Sequence, residues 1–323
     1  MTEPTAHRPG LGRLWYLAYH RPLELLLRSA REGGPLQQRR VERARRDMEA
    51  AVAQLPPLAP APAGAPGVTY LTGRRFWYQT AFCFWSLRFH IGQALTLTLV
   101  DDGTWDAACQ RACDRLFPNT RVVTRTEIET RLDQALPRDR FATLRKHRET
   151  YPHLRKLTDV HAGRQGWRLV LDSDMLFFRR PGVLGRWLSE PQRPLHMVDT
   201  VTAYGYPSEA LSALAGAPVP ERVNVGVCGL CSERLDWDRL EHWVSTLLRT
   251  HGSSYYLEQA LVAMLAAIEP WDRAPAEDYV AMPSPGEVSN PRAALHHYVA
   301  ESKQHYFLRS WRHVLAHANP PAA

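Results

Sequence analysis

Two acidic residues, Asp172 and Asp174, close an apolar run of the sequence with only Ser173 between them. The run predicts a buried strand over residues 168–171, and the alternation of side chains along extended backbone places both carboxylates on the same side. Carboxylate oxygens so arranged suit a hard cation, Mg²⁺ or Mn²⁺, which keeps further positions for phosphate oxygens and water. We therefore expect a metal and phosphate site at Asp172, Ser173 and Asp174. The alternative is a strand that ends in aspartates capping the next turn.

Alternating strand and helix patterns surround this pair from residue 67 onward. Strands are predicted at 68–71, 95–100, 121–123 and 168–171, and helices at 76–91, 105–116, 126–136 and 141–161. This order predicts a largely parallel sheet covered by helices. In such sheets ligands bind beyond the carboxyl ends of the strands.

The run from Leu169 to Phe177 resembles the DxD strand of GT-A type glycosyltransferases, particularly glycosyltransferase family 8 and its bacterial relatives. Three further segments, at 222–230, 255–261 and 297–303, are similar to the family's Asn-x-Gly strand, its acid-Gln pair at a helix start and its H-x-x-G-x-x-K segment. The resemblance extends from about residue 67 to residue 303. It implies an α/β GT-A fold, a Rossmann-like mixed sheet flanked by helices, here with an N-terminal helical arm.

The resemblance also assigns roles beside the sugar and the metal. Asn224 would face the donor sugar and acceptor, and Gln259 would lie beside the sugar together with Glu258, which stands where the family usually has Asp. His297 would be the third metal ligand, next to Asp172 and Asp174, and Lys303 would bind the diphosphate.

Other residues are placed more loosely by the same resemblance. Lys156 is similar to a basic residue that reaches the donor from the helix before the DxD strand, and Arg155 is the alternative residue for this role. In a GT-A fold the nucleotide would lie where the first two strands end, at Tyr70, Thr72, Gly73, Asp101 and Asp102. The alternative for these strand ends is ordinary turn chemistry.

A metal-dependent glycosyltransferase is the activity that the resemblance implies. It would transfer a sugar from a nucleotide-diphosphate donor, with a UDP-sugar as the favoured donor, Mn²⁺ or Mg²⁺ as cofactor and retention of configuration. The acceptor stays open among a glycan, a lipid-linked molecule and a small molecule. Two alternatives are a catalytically inactive GT-A-fold binding protein and a haloacid-dehalogenase-like phosphatase, in which Asp172 would be the nucleophile.

Charge and cysteine content indicate which binding partners and which cellular compartment to expect. A formal net charge of +7 and a pI near 9.3 favour anionic partners. Nucleic acid is not expected, because the arginines concentrate in one segment without an aromatic stacking motif. An odd number of cysteines, five, indicates a reducing compartment. Cys228 and Cys231 have CxxC spacing, but their run is typical of a buried strand rather than a zinc or redox site.

The chain divides by composition into four parts. We expect a basic helical arm at 1–55, a Pro/Ala-rich linker at 56–66, the catalytic domain at 67–310 and a tail at 311–323. Leucines between residues 14 and 27 predict an apolar stripe in the arm, which would either pack on the catalytic domain or lie on an anionic membrane. Because no secretory signal or transmembrane run is apparent, we expect a cytoplasmic protein, peripheral at the inner membrane face in the second case.

Overall fold

The computed structural model describes residues 34–319. The predicted apolar stripe between residues 14 and 27 lies outside this range. The strands along the chain are β1 (Gly67–Thr72), β2 (Thr96–Asp101), β3 (Arg121–Val123), β4 (Trp167–Leu171), β5 (Met175–Phe177), β6 (Leu195–Val198), β7 (Val223–Cys231), β8 (Asp272–Ala274), β9 (Tyr279–Ala281) and β10 (Leu295–His297).

Helices separate most of these strands. They are α1 (Gly34–Ala51), α2 (Trp77–Ile91), α3 (Ala107–Leu116), α4 (Arg125–Ala135), α5 (Ala142–Thr150), α6 (Arg155–His161), α7 (Gly182–Ser189), α8 (Ser208–Ala215), α9 (Trp237–His251), α10 (Leu257–Ile268), α11 (Pro285–Ser289), α12 (Lys303–His305) and α13 (Trp311–Ala318). A single wide helical turn, Tyr306–Ser310, joins the last two.

The central sheet has seven strands in the order β3-β2-β1-β4-β7-β6-β8. Strands β1 to β4 are parallel, whereas β7 runs antiparallel to both of its neighbours, β4 and β6. The structure therefore confirms the predicted α/β class with a mixed sheet flanked by helices. The predicted strands are all present, and most boundaries differ by one or two residues. The single helix predicted over 141–161 is wrong: the structure has two helices, α5 and α6, because Pro152 interrupts the helical pattern between them.

Both faces of this sheet are buried, which explains why its strands read as nearly continuous apolar runs. In β4, Leu169 and Leu171 belong to the apolar cluster that includes helix α2, whereas Val170 belongs to the cluster under α9 and α10. Strand β7 is buried at every position, as expected for the segment that carries Cys228 and Cys231. All five cysteines are buried free thiols.

A second, three-stranded sheet in the order β5-β10-β9 lies next to the carboxyl end of β4. Strand β10 is antiparallel to β5 and parallel to β9. The chain passes from the large sheet to the small one between Leu171 and Met175. Residues 172–174 are therefore held from both sides by strands.

The described part of the arm, residues 34–55, is mostly a helix that packs on the rest of the molecule. Ala44, Met48 and Ala51 of α1 are buried, as is Leu55 just after it. Arg115 of α3 donates hydrogen bonds to the carbonyl oxygens of Val52 at 2.9 Å and Leu55 at 3.0 Å. The division of the chain into arm, linker, catalytic domain and tail stays a prediction. Across residues 34–319, no helix combines the length and the apolar character needed to cross a bilayer.

Candidate active site

The acidic pair occupies the crossing between the two sheets. The backbone N–H of Asp172 donates to the carbonyl oxygen of Gly226 in β7 at 2.9 Å, and the N–H of Tyr298 donates to the carbonyl oxygen of Asp174 at 2.9 Å. Neither bond involves a carboxylate. The backbone is thus fixed on both sides of the pair without using either carboxylate.

His297 is brought to this pair by strand pairing. In the antiparallel register of β10 with β5, His297 lies opposite Met175, the residue directly after Asp174. Its Nε2 atom lies 3.4 Å from Asp174 Oδ1 and 3.7 Å from Asp172 Oδ2. One ligand atom from each of the three residues lies within 4.8 Å of the other two.

The imidazole of His297 is buried, and neither ring nitrogen has a hydrogen-bond partner among the described residues. A buried polar atom without a partner is costly, so it points to a ligand. Burial disfavours the charged ring, but Asp174 and Asp172 outweigh that effect and raise the pKa of His297. Two carboxylates and one imidazole are a donor set that fits a divalent cation.

Lys156 is buried between two carboxylates. Its Nζ lies 2.7 Å from Asp172 Oδ1 and 3.1 Å from Glu258 Oε1. Burial opposes its charge, but Asp172 and Glu258 overcome this and raise the pKa of Lys156. Burial raises the pKa of Glu258 to about 7, with Lys156 acting in the opposite direction. Arg155, the alternative residue for donor contact, instead donates hydrogen bonds to the carbonyl oxygens of Asp102 and Arg148.

Lys303 approaches the acidic pair from the other side. Its Nζ lies 2.9 Å from Asp174 Oδ2, and its side chain is 42% exposed, compared with 8% for Lys156. Burial alone would raise the pKa of Asp174, but the charges of Lys303 and His297 hold that pKa well below its usual range. Lys303 is therefore the ammonium group that a ligand can reach from solvent.

A cleft of about 510 Å³ opens beside Asp172 and His297, and Asp174 is not among the residues that line it. Seven of the predicted site residues line it: Lys156, Asp172, Asn224, Glu258, Gln259, His297 and Lys303. Tyr255 and Tyr256 at its rim are 70% and 42% exposed. A larger cavity of about 940 Å³ lies beside α7, but none of the predicted residues lines it, and residues 34–319 form no cluster of metal-ligating groups there.

Asp199 is a site residue that the sequence reasoning missed. Its Oδ2 accepts hydrogen bonds from Asn224 Nδ2 at 2.9 Å and from Gln259 Nε2 at 3.4 Å, and Gln259 also donates to the carbonyl oxygen of Ala203. Asp199 thereby holds both amides on the wall of the cleft. The available signal was its position directly after the apolar strand β6, the same pattern that marked Asp172.

Gly226 explains the Asn-x-Gly pattern in physical terms. A Cβ atom at this position would lie 2.6 Å from His297 Cε1 and Nδ1 and 3.0 Å from Asn224 Oδ1. The Gly226 N–H donates to Asn224 Oδ1 at 2.8 Å, which orients the amide. Only glycine lets β7 pass this close to the His297 ring.

A line of hydroxyl groups connects the first strand to the acidic pair. Thr72 Oγ1 lies 2.8 Å from Thr80 Oγ1, which lies 2.8 Å from Ser173 Oγ. Tyr70 is fully buried in the core, with its hydroxyl 3.3 Å from Cys83 Sγ. None of these predicted nucleotide-binding side chains lines the cleft. Their role in nucleotide binding stays a prediction.

The end of the second strand shows turn chemistry. Asp101 Oδ1 accepts from the N–H groups of Gly103 and Trp105, and Asp102 Oδ1 accepts from the N–H and hydroxyl of Thr104. A Cβ on Gly73 would lie 1.9 Å from Asp102 Oδ1, so glycine is needed where this turn contacts β1. Asp101, Asp102 and Gly73 do not line the cleft, and their contact with a nucleotide also stays a prediction.

Backbone strain occurs beside His297. Ala300 occupies the glycine position of the H-x-x-G-x-x-K segment in the family that this sequence resembles, and it adopts a φ of 47°. Met282 adopts a φ of 54°. Left-handed backbone costs an L-residue roughly 1–2 kcal/mol. Both residues line the cleft. Strained positions of this kind concentrate at ligand sites.

Comparisons with known proteins come from structure alone, because no protein-family model and no curated protein matches the chain. The chain is similar to the galactosyltransferase LgtC, solved with donor and acceptor sugar analogs, at 15% identity and a TM-score of 0.48, over 72% of this chain and 87% of that one. It is similar to the bifunctional glycosyltransferase WbbM in its apo form at 11% identity and a TM-score of 0.46, over 81% of this chain and 53% of that one.

A third similar structure is mouse xyloside xylosyltransferase 1 in its apo form. The identity is 13% and the TM-score 0.41, over 74% of this chain and 98% of that one. All three proteins are glycosyltransferases by name, the enzyme class that the motifs of this sequence resemble. Since each TM-score lies below 0.5, the function of this chain is argued below from its own residues.

Proposed function

We propose that this protein is a metal-dependent glycosyltransferase that transfers a sugar from a nucleotide-diphosphate sugar to an acceptor. The observation that carries the proposal is the convergence of Asp172, Asp174 and His297 between the ammonium groups of Lys156 and Lys303. Such a site combines a cation-binding donor set with positive charge for phosphate in a cleft of about 510 Å³.

Asp172, Asp174 and His297 would hold Mn²⁺ or Mg²⁺. The unpartnered ring nitrogens of buried His297 are the observation that supports this fit. When bound, the ion supplies positive charge to the diphosphate of the donor as the glycosidic bond breaks. The protein's own contribution is to hold these three side chains in place through β4, β5 and β10.

The two lysines would act differently. Lys303, exposed and held 2.9 Å from Asp174, would exchange that contact for the donor diphosphate and offset the charge that develops on it. Lys156 is enclosed by Asp172 and Glu258, so we propose that it positions Asp172 rather than binding the donor directly. Tyr70, Thr72, Gly73, Asp101 and Asp102 would support the nucleotide, with a UDP-sugar as the proposed donor.

Asn224, Glu258 and Gln259 would surround the transferred sugar. The amides of Asn224 and Gln259 are oriented by Asp199, so each keeps further hydrogen-bonding capacity for sugar hydroxyl groups. Retention of configuration is proposed from the sequence resemblance. The exposed rings of Tyr255 and Tyr256 at the rim offer an apolar surface on which an acceptor glycan, lipid-linked molecule or small molecule would rest.

We propose a reducing, cytoplasmic location, supported by five buried free thiols. Contact with the inner membrane face is proposed through the basic arm. The exposed arginines of α1, which include Arg39, Arg43 and Arg46, lie opposite its buried face and support that contact.

Nucleotide-sugar hydrolysis with Mn²⁺ and with Mg²⁺ tests the proposal. We expect one or a few nucleotide sugars to be hydrolysed, and we expect EDTA to stop the release of nucleotide. Asp174→Asn should remove this activity, whereas the matched control Asp238→Asn, which changes an exposed acid on α9, should retain it. Donor binding without any turnover would favour the inactive binding protein, and hydrolysis of an aryl phosphate would favour the phosphatase.

A further inference from the structure

Four arginines converge on a cavity away from the cleft. Arg121, Arg131, Arg164 and Arg168 come from β3, α4, the loop after α6 and β4, and together they line a space of about 240 Å³. Thr69 of β1 and Thr98 of β2 also line it. This cavity shares no lining residue with the candidate active site.

The position of the cavity separates it from the metal-ligating residues. Arg168 lies near the start of β4, and Asp172 follows the end of that strand. Four residues of extended chain span roughly 13 Å. The arginine cavity, lined by these four arginines, is therefore a distinct site.

The guanidinium groups of the arginine cavity are incompletely paired. The Nε atoms of Arg131 and Arg168 are buried and have no hydrogen-bond partner among residues 34–319. Burial lowers the pKa of Arg131 to about 10, and the charges of Arg164 and Arg168 act in the same direction. Half-buried guanidinium groups with unused donor atoms beside a cavity point to an anionic ligand.

The acidic groups around the cavity are already engaged. Asp159 accepts two hydrogen bonds of 2.7 Å from Arg148, and it offers only its backbone carbonyl to Arg131. Glu127 caps the start of α4 and contacts Arg121 at 3.3 Å. Burial lowers the pKa of Arg168, and the charge of Glu233 opposes this shift without reversing it. Glu233 also accepts the N–H of Gly166 at 2.6 Å. Positive charge therefore remains in excess.

We propose that the arginine cavity binds a phosphate group. Planar guanidinium forks match the geometry of phosphate oxygens, and two threonines, Thr69 and Thr98, are among the other lining residues. The volume corresponds to roughly eight water molecules in the liquid, which suits a phosphate or diphosphate and is small for a whole nucleotide sugar. The phosphate comes either as a free anion or as the head of a phosphomonoester.

Isothermal titration in phosphate-free buffer with EDTA tests this site. The probes are orthophosphate, pyrophosphate and glycerol 3-phosphate, and their relative affinities distinguish a free anion from an ester. We expect Arg164→Gln and Arg168→Gln each to weaken binding by about tenfold or more, the size expected for a lost charged hydrogen bond. The control Arg249→Gln, an exposed arginine of α9, should bind like the wild type.

Lys303→Gln separates this site from the cleft, which also carries ammonium groups. We expect Lys303→Gln to leave orthophosphate affinity within twofold of the wild type. Loss of binding in this variant, with binding kept in the arginine variants, would place the phosphate in the cleft and overturn the proposal. So would the absence of binding of all three probes at millimolar concentration.

Thermal melting in a buffer without multivalent anions tests whether the four arginines serve only to stabilise the fold. Because the arginines repel one another, Arg164→Gln should melt at or above the wild-type temperature in this buffer, and added orthophosphate should raise the melting temperature of the wild type more than that of Arg164→Gln. If Arg164→Gln melts lower in both buffers by the same amount, the cluster serves the fold and the proposal is wrong.

Discussion

Asp172 and Asp174 have mirrored contacts. Each directs one carboxylate oxygen to a lysine, Asp172 Oδ1 to Lys156 and Asp174 Oδ2 to Lys303, and each turns its other oxygen toward His297. The inner oxygens, Asp172 Oδ2 and Asp174 Oδ1, thus share a small space with His297 Nε2. The lysines balance the acidic charge from outside while the inner face stays available to a cation.

Removal of either inner oxygen should abolish turnover. We expect Asp172→Ala and Asp174→Ala to lower the rate of sugar transfer by at least about a hundredfold, the typical effect of losing a group that stabilises developing charge. Chelation should do the same to the wild type. Asp238→Ala, an exposed acid on α9, is the control. Circular dichroism should show intact secondary structure, and full turnover in EDTA would contradict the metal-dependent mechanism.

His297 and Lys303 should separate metal binding from diphosphate binding. His297→Ala is expected to weaken Mn²⁺ and UDP together, because it removes a ligand from the cation site. Lys303→Ala should weaken UDP with less effect on Mn²⁺, because its ammonium balances phosphate charge. Calorimetry with each ligand alone and in combination measures the difference. If both variants lose the same ligand to the same extent, the two roles assigned here are wrong.

Gly226→Ala should impair the metal site although it replaces none of the metal ligands. The added Cβ would lie 2.6 Å from the His297 ring, which must then move away from Asp172 and Asp174. We expect weaker Mn²⁺ binding with His297 still present. Gly185→Ala is the matched control, since its Cβ would meet only Ile91 Cγ1 at 3.9 Å. Unchanged Mn²⁺ affinity in Gly226→Ala would show that the ring position is not limiting.

Much of the fold was predictable because it depends on local pattern. Buried parallel strands produce the apolar runs that predicted β1, β2 and β4, and the acids after β4 are adjacent in sequence. Contacts between distant segments were less accessible. The role of His297 came from family resemblance, and the pairing of β10 with β5 that places His297 beside Asp174 was not predicted.

The role of Asp199 shows what a single sequence leaves out. One aspartate after a strand is ordinary turn chemistry, as Asp101 and Asp102 illustrate with their bonds to nearby backbone N–H groups. Asp199 differs only because β7 and α10 bring Asn224 and Gln259 to it from 25 and 60 residues away. That distinction depends on tertiary packing, which no local pattern records.

Glu258 predicts a pH dependence of stability in metal-free buffer. Its pKa of about 7 in the folded chain lies above the ordinary value of 4.5, so the native state binds this proton more tightly than the unfolded state. The stability it contributes is fully present below pH 4.5 and is lost as the pH rises through about 7. Glu258→Gln has a neutral side chain at every pH. Its free energy of unfolding, relative to that of the wild type, should therefore rise by roughly 3 kcal/mol as the pH rises from 4.5 through about 7.

Urea unfolding at a series of pH values with EDTA measures this difference for Glu258. The control is Glu277→Gln, which changes an exposed glutamate between β8 and β9. Its free energy of unfolding should have the same pH dependence as that of the wild type. A Glu258→Gln stability difference that stays constant between pH 4.5 and pH 8 would contradict the burial effect. Lys156 would then have fully compensated the buried carboxylate.

Helix α1 has two faces with separable roles. Met48 is fully buried on the face that packs against the turn Tyr306–Ser310, and Arg39 and Arg43 are exposed on the opposite face. Met48→Ala should lower the free energy of unfolding by about 2–5 kcal/mol, as expected for a truncated core side chain. The double variant Arg39→Gln with Arg43→Gln should change stability by no more than about 0.5 kcal/mol. Denaturant unfolding measures both.

The arginine face, rather than the buried face, should control membrane contact. We expect the wild type to sediment with anionic vesicles and to be released by salt, because surface charge attraction is screened over about 10 Å at 0.1 M ionic strength. The Arg39 and Arg43 double variant should sediment less, while Met48→Ala, assayed below its melting temperature, should sediment like the wild type. A wild type that ignores anionic vesicles, or a double variant that binds them equally well, would show that α1 serves only to complete the core.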